Sequence, residues 1–286
     1  MTSDEWTPAA AFSALADARR LEIIRALDAA SGRCQTFSAL HEAVGVDDSG
    51  QFNYHLSRLR PHFVEKAGEG YRLTAAGRQV VRAVAAGRFT ADVRFDEFEH
   101  DSVCHRCETH LCVSYRDERL RFRCPCCDEV VLNVGFPSSG VRERSPGVAV
   151  DAFARFSYHR VSQARDGVCP DCSGPTDGTV TDDVPPSIDK PAAVVFECDV
   201  CRGAVVTSFG GVAIYDSRVR SFHRERGVDL RDGYYWEVPQ CLTSAHTTVE
   251  STNPWQTTVR FPVDGDACLA RFEEADLVTV DVEQTG

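Results

Sequence analysis

Eight of the thirteen cysteines form four Cys-x-x-Cys pairs, and the pairs are themselves paired. Cys104 and Cys107 precede Cys124 and Cys127 with 16 residues between them, and Cys169 and Cys172 precede Cys198 and Cys201 with 25. Two residues between cysteines let a tight turn aim both sulfurs at one point. Two such turns can surround one Zn²⁺ with four thiolates, the closed site of a zinc ribbon. The first spacing lies within the roughly 15–20 residues usual for such ribbons. The second exceeds it by about the length of a proline-rich stretch at 175–191. Two structural Zn²⁺ are therefore expected, on Cys104, Cys107, Cys124 and Cys127 and on Cys169, Cys172, Cys198 and Cys201. Disulfides or free core cysteines are the blander alternative. A thiol oxidoreductase is the remote one, since a redox Cys-x-x-Cys usually opens a helix in a βαβ setting, and none is found.

The remaining cysteines sort by register. Cys126, inside the Cys-Pro-Cys-Cys run, aligns with Val200 of the second set and is expected not to be a ligand. His105 and His110 lie close enough to substitute, but the thiol set is complete without them. Cys34, Cys112, Cys241 and Cys268 have no partner at metal spacing and are expected to be small buried residues, with redox sensing by an exposed Cys34 the sharper alternative. The sequence has no nucleophile elbow, P-loop, His-Glu-x-x-His or dinucleotide-binding fingerprint, so no enzyme is expected. His159 and His223 sit in helical patterns and are read as packing or surface residues.

A second constellation is Gln-Phe-Asn-Tyr-His-Leu-Ser-Arg-Leu-Arg at 51–60. At about 100° per residue, Phe52, Leu56 and Leu59 share one face of a 50–61 helix. Gly50, Gln51, Asn53, Tyr54, Ser57 and Arg58 cover the other. Asn and Gln suit adenine edges and Arg suits guanine, so the outward face is one that could read a major groove. Candidate DNA contacts are Ser49, Gln51, Asn53, Tyr54, Ser57, Arg58 and Arg60, with Lys66 and Arg72 flanking a turn for the phosphate backbone.

These residues need elements to position them. Thr7 and Pro8 open a first helix and Asp17 caps a second, with Leu21, Ile23, Ile24 and Leu27 as its apolar stripe. Residues 37–45 read as a short helix ended by Gly45. After the 50–61 helix, 63–74 alternates as two short strands and 74–87 as a last helix. That order is the order of a winged helix-turn-helix. Beyond it, strands are expected at 90–99, 246–250, 256–263, 267–272 and 277–282, with Asp264-Gly265 a hairpin signal. Helices are expected at 146–165 and 217–227, and a loop without periodicity at 175–191. There is also an internal repeat: 103–108 parallels 168–173, and 122–136 parallels 196–210. The expected fold is α+β: an N-terminal winged helix-turn-helix at 1–88, a first zinc-ribbon lobe plus helix at 89–166, and a second lobe plus helix and C-terminal antiparallel β-meander at 167–286.

The segment AFSALADARRLEIIRALDA (11–29) resembles the opening of ArsR-type winged-helix regulators, and 37–81 resembles their haloarchaeal branch, notably SGQFNYHL and GYRLTAAG. The resemblance covers residues 8 to about 88, under a third of the chain. It implies sequence-specific binding of double-stranded DNA, usually as a homodimer, with the 50–61 helix in the major groove. Two departures tell against the family's metal sensing: 37–45 carries no Cys-x-Cys, and 74–87 carries no Asp or His ligands.

Charge is divided to match. Residues 1–90 hold ten acids and eleven Lys or Arg, while 91–286 hold 33 acids and 20 bases. The net of −12 thus belongs to the cysteine-rich part, and the N-terminal third keeps a footprint compatible with phosphate. Only Lys66 and Lys190 are lysines, an acidic, Arg-over-Lys bias that resembles proteins of halophilic archaea. No apolar run nears the roughly 20 residues of a membrane span, and a cytoplasmic location is expected. The expected function is transcriptional regulation through specific DNA binding, the ribbons serving dimerisation, sensing or contact with the transcription machinery. A component resembling archaeal basal transcription factor E is the alternative.

Overall fold

Side-chain caps set where the first helices begin. Thr7 accepts the Ala10 N–H at 3.2 Å to start α1 (Pro8–Leu15), and Asp17 accepts those of Arg19 and Arg20 to start α2 (Ala18–Ala29). Each cap satisfies donors that the first turn leaves without partners. Thr36 and Asp48 do the same for α3 (Phe37–Val44) and α4 (Ser49–Leu59). Gly45 ends α3 in a left-handed conformation, φ 69°. The structure, a computed structural model, describes residues 6–90, 92–184 and 191–284. It is a mixed α+β protein, and its contacts separate two units, Met1–Asp92 and Val93–Gly286.

In the first unit β1 (Gln35–Thr36), β2 (Val64–Ala67) and β3 (Gly70–Leu73) form an antiparallel sheet in the order β1-β3-β2. α5 (Ala75–Ala85) follows, capped by Thr74. Ile23, Ile24, Leu27, Leu40, Phe52 and Leu56 lead its core. Gly77 lets α5 approach closely: a Cβ there would lie 2.2 Å from the Phe63 carbonyl oxygen.

In the second unit β4 (Phe95–Val103), β5 (His110–Arg116), β6 (Arg119–Arg123) and β7 (Val130–Gly135) form a sheet in chain order. The helix α6 (Pro146–Arg165) follows. Next come β8 (Thr176–Thr181), β9 (Ala193–Cys198) and β10 (Ala204–Thr207), ordered β10-β9-β8, then α7 (Phe209–Ala213), α8 (Ser217–Arg224) and α9 (Pro239–Leu242). The meander of β11 (Thr247–Thr252), β12 (Trp255–Val263), β13 (Asp266–Glu273) and β14 (Asp276–Glu283) closes the chain. Asp264 and Gly265 both take positive φ at the β12–β13 hairpin.

The structure moves three expectations. The strand expected at 90–99 runs from Phe95 to Val103, because its pairing with β5 continues to the first cysteine turn. Residues 176–181, expected in a loop, form β8: pairing from Thr176–Cys198 to Thr181–Ala193 overrides a sequence without alternation. Residues 185–190 of that loop lie outside the described residues. The division expected at 166/167 meets no break in contacts. The first half of α6 buries Ala149, Val150 and Phe153 beside the β4–β7 sheet, and its last turns place Val161 and Ala164 in the core of the later strands. Trp236, far along the chain, completes the earlier core against Phe122 and Phe153.

Candidate metal centres and nucleic-acid interface

All four cysteine pairs use one backbone device. The N–H of the leading cysteine donates to a carbonyl five residues on: Cys104 to Thr109, Cys124 to Glu129, Cys169 to Gly174 and Cys198 to Gly203, at 2.8–2.9 Å. The residue after the second cysteine turns left-handed, with φ between 55° and 64° at Glu108, Asp128, Ser173 and Arg202. The chain thereby reverses within six residues and returns to its sheet, leaving two sulfurs on the inside of the turn. In each pair the first cysteine is buried and the second exposed.

The turns then meet in twos, as the spacing predicts. Sγ atoms lie 3.7 Å apart for Cys104–Cys127 and 3.4 Å for Cys107–Cys124, and 3.6 Å for Cys169–Cys201 and 3.5 Å for Cys172–Cys198. Within each foursome all sulfurs lie within 4.8 Å of one another. Tetrahedral thiolates on a Zn²⁺-sized ion with bonds of about 2.3 Å stand about 3.8 Å apart, so both groups have the separations of ligands around a single ion. Amide N–H groups point at the sulfurs as well: Asp171 at Cys169, Gly174 at Cys172, Val200 at Cys198 and Gly203 at Cys201, each at 3.4 Å.

Electrostatics describe a donor set in need of a cation. The Thr109 hydroxyl and N–H pull Cys107 down to about 6, and the N–H groups of Cys172 and Asp171 bring Cys169 to about 7. A side-chain hydrogen bond to Cys124 holds the proton on Cys127 and pushes that thiol up to about 12. Four thiols this close cannot all ionise alone, and a divalent ion at their centre removes the conflict. The residues fit such an ion, two in all, and each foursome closes its own coordination shell.

Cys126 is exposed and outside the foursome. His105 is also outside it, its Nε2 3.7 Å from Glu129 Oε1, and His110 Nδ1 is 3.2 Å from the Asp101 carbonyl. Of the four unassigned cysteines, Cys241 and Cys268 are buried core residues as expected, but Cys34 is exposed and Cys112 only half-buried. Cys34 follows a turn and precedes the two-residue β1, too short a strand to cover it. His159 is exposed, and His223 is buried with Nδ1 2.7 Å from the Val219 carbonyl.

On α4 the register separates two faces. Phe52, Leu56 and Leu59 are buried, while Ser49, Gln51, Asn53, Tyr54, Ser57 and Arg58 are exposed. The Ser57 hydroxyl donates to the Tyr54 carbonyl at 2.7 Å. Arg60, just past the helix, lies over the Tyr71 ring at 5.6 Å, and Lys66 is exposed on β2. Arg72 is exposed too, but its Nε is 2.6 Å from Oε1 of Glu65, its cross-strand neighbour. His55 was not assigned to either face from sequence; it is buried, with Nδ1 3.6 Å from Asp17 Oδ1. Its position three residues from Phe52 and four from Leu59 was the available signal.

An α+β chain with two four-thiol centres is thus the class that the fold and site define. Within it, the chain belongs to the family described as Domain of unknown function (DUF7351), whose family model matches residues 101–278. A second, described as Domain of unknown function (DUF7347), matches residues 8–84. No curated protein and no solved structure matches the chain.

Proposed function

We propose that the protein is a sequence-specific DNA-binding transcriptional regulator whose thiol foursomes hold two structural Zn²⁺. In this reading Met1–Asp92 is a winged helix-turn-helix: α3 and α4 form the helix-turn-helix, α4 enters the major groove, and the β2–β3 hairpin is the wing. The observation that carries it is the division of α4 into a buried apolar face and an exposed row with no acidic side chain. Gln51, Asn53 and Arg58 are the base-reading candidates. Ser49, Tyr54, Ser57, Arg60 and Lys66 serve orientation, and Arg72 reaches phosphate only by leaving Glu65. An exposed pair of that kind is worth at most about 1 kcal/mol. The near-neutral charge of residues 1–90 supports the same reading.

The protein acts in the cytoplasm as a homodimer on double-stranded DNA. Support for pairing comes from the apolar groove that Leu21, Val80 and Val84 line between α2 and α5, and from the exposed Phe12 on α1. Zinc fits the all-thiolate donor set and its spacings, and with four protein ligands it has no open position for substrate. A footprint on DNA upstream of the protein's own gene tests the reading: a protected, near-palindromic site supports it. Co-purification with RNA polymerase and no fixed site would instead favour a basal-factor role.

A further inference from the structure

In Val93–Gly286 carboxylates answer about half of the arginines. Arg116 pairs with Asp96, Arg123 with Glu97, Arg160 with Asp171, Arg226 with Asp266 and Arg271 with Asp281. Residues 91–286 hold 33 acids against 20 bases, so carboxylates are plentiful around any guanidinium. Two arginines without a carboxylate partner, Arg155 and Arg231, border one cavity of about 200 Å³ together with His159, and no acidic side chain lines it. Among the described residues none of the three forms an ion pair.

Arg155 and His159 are four residues apart on α6 and so neighbour each other on its surface. Arg231 reaches the cavity from the loop after α8. Asp229, the acid closest before it, is engaged by the Arg231 backbone N–H at 3.0 Å. The remaining wall is aromatic and apolar: Tyr158, Tyr215, Tyr235, Ile214 and Leu230. Tyr158 and Tyr215 meet edge to face with centroids 4.7 Å apart, and Arg220 donates to the Tyr158 hydroxyl at 2.9 Å. Burial drives the ionisation of Tyr215 and Tyr235 far upward, so both stay neutral hydroxyls. A larger neighbouring cleft, about 390 Å³, shares those two tyrosines. Its guanidinium, Arg160, is already held by both oxygens of Asp171 at 2.7 and 2.8 Å, and Glu118 adds a second carboxylate. That cleft has no free cation to offer; the smaller cavity does.

We propose that the pocket of Arg155, His159 and Arg231 binds a small aromatic carboxylate, its ring against the tyrosines and its carboxylate on the guanidinium groups. Arginine pairs with carboxylates in a bidentate geometry that adds specificity. A mostly apolar wall with a few convergent polar groups is the usual make-up of a small-molecule site. Inorganic phosphate would leave the tyrosine wall unfilled. The inference stands apart from whether α4 meets DNA.

Calorimetric titration of the full-length, metal-loaded protein with benzoate, salicylate and 1-naphthoate tests it, with benzamide and benzylamine as neutral and cationic counterparts. We expect at least one carboxylate to bind once per chain and benzamide at least about tenfold more weakly. Arg155→Ala and Arg231→Ala should each weaken carboxylate binding about tenfold with unchanged melting temperature, since both side chains are exposed. Saturable binding by none of the three carboxylates would overturn the proposal, as would equal binding of amide and acid or wild-type affinity in the double variant. Phosphate competing as well as the carboxylates would overturn the aromatic assignment.

Discussion

At the scale of single residues, α4 separates side chains that hold the fold from those free to contact something else. Asn53→Ala with Arg58→Ala should abolish operator binding in a gel-shift assay while leaving the melting temperature within a degree or so, because both side chains are exposed. Phe52→Ala should do the reverse and cost roughly 3–5 kcal/mol in a denaturant titration, because a fully buried ring leaves a cavity. Unfolding of the double variant would show that its side chains were structural. Around the first foursome, Cys126→Ser should keep two metal ions per chain by elemental analysis and Cys127→Ser should lose one. The foursomes were legible from sequence because Cys-x-x-Cys spacing alone fixes what a tight turn can do. The burial of His55 follows only from its neighbours on α4, which show which way its ring turns. The ion pair of Arg72 was equally hidden, since it depends on which residue lies across the hairpin.

At the scale of elements, what was readable had a local cause. Thr7, Asp17 and Gly45 mark helix ends through bonds they make to their own neighbours, so α1, α2 and α3 could be placed closely. Thr176–Thr181 has no such local cause, and Phe209–Ala213 has only the Ser208 cap, whose hydroxyl accepts the Gly211 N–H at 2.9 Å. β8 exists because β9 offers it a ladder, and α7 is buried along its whole length despite two glycines. Gly210 is needed there for proximity: a Cβ would lie 2.1 Å from the Gln240 carbonyl oxygen. Gly77 on α5 offers the same kind of test, since its clash at 2.2 Å is likewise with backbone that cannot rotate aside. Gly77→Ala should lower stability by about 1–3 kcal/mol, the usual cost of overpacking. Unchanged thermal melting of the isolated change would show that α5 can shift freely.

For the whole molecule, stability should depend on metal and on acid, both through Val93–Gly286. Chelation should unfold the ribbons while helical signal from Met1–Asp92 persists, because every thiol of the two foursomes lies beyond residue 92. Loss of all helical signal in one cooperative transition on chelation would contradict that division. Burial also lowers the proton affinity of His100 and His223 below the ordinary value of 6.5. The unfolded chain then binds protons more readily, so stability falls as pH drops below about 6.5 and levels off past the folded-state values. Denaturant midpoints taken with zinc in excess should show this slope, flattened in His223→Gln; an equal slope in wild type and variant would remove the histidine from the account.

Trp236 gives this organisation a consequence in time. A chain made from its N-terminus exposes β4–β7 and α6 long before the tryptophan that seals them emerges. Until then Phe122 and Phe153 face water on one side, in a state prone to stick to its neighbours. An ion held by the first foursome, whose ligands all precede α6, would clasp this part of the chain during that interval. If that ion is the clasp, metal shortage should cost more protein when imposed during synthesis than when imposed on finished copies, which pulse-labelling with a chelator added before or after the pulse would measure.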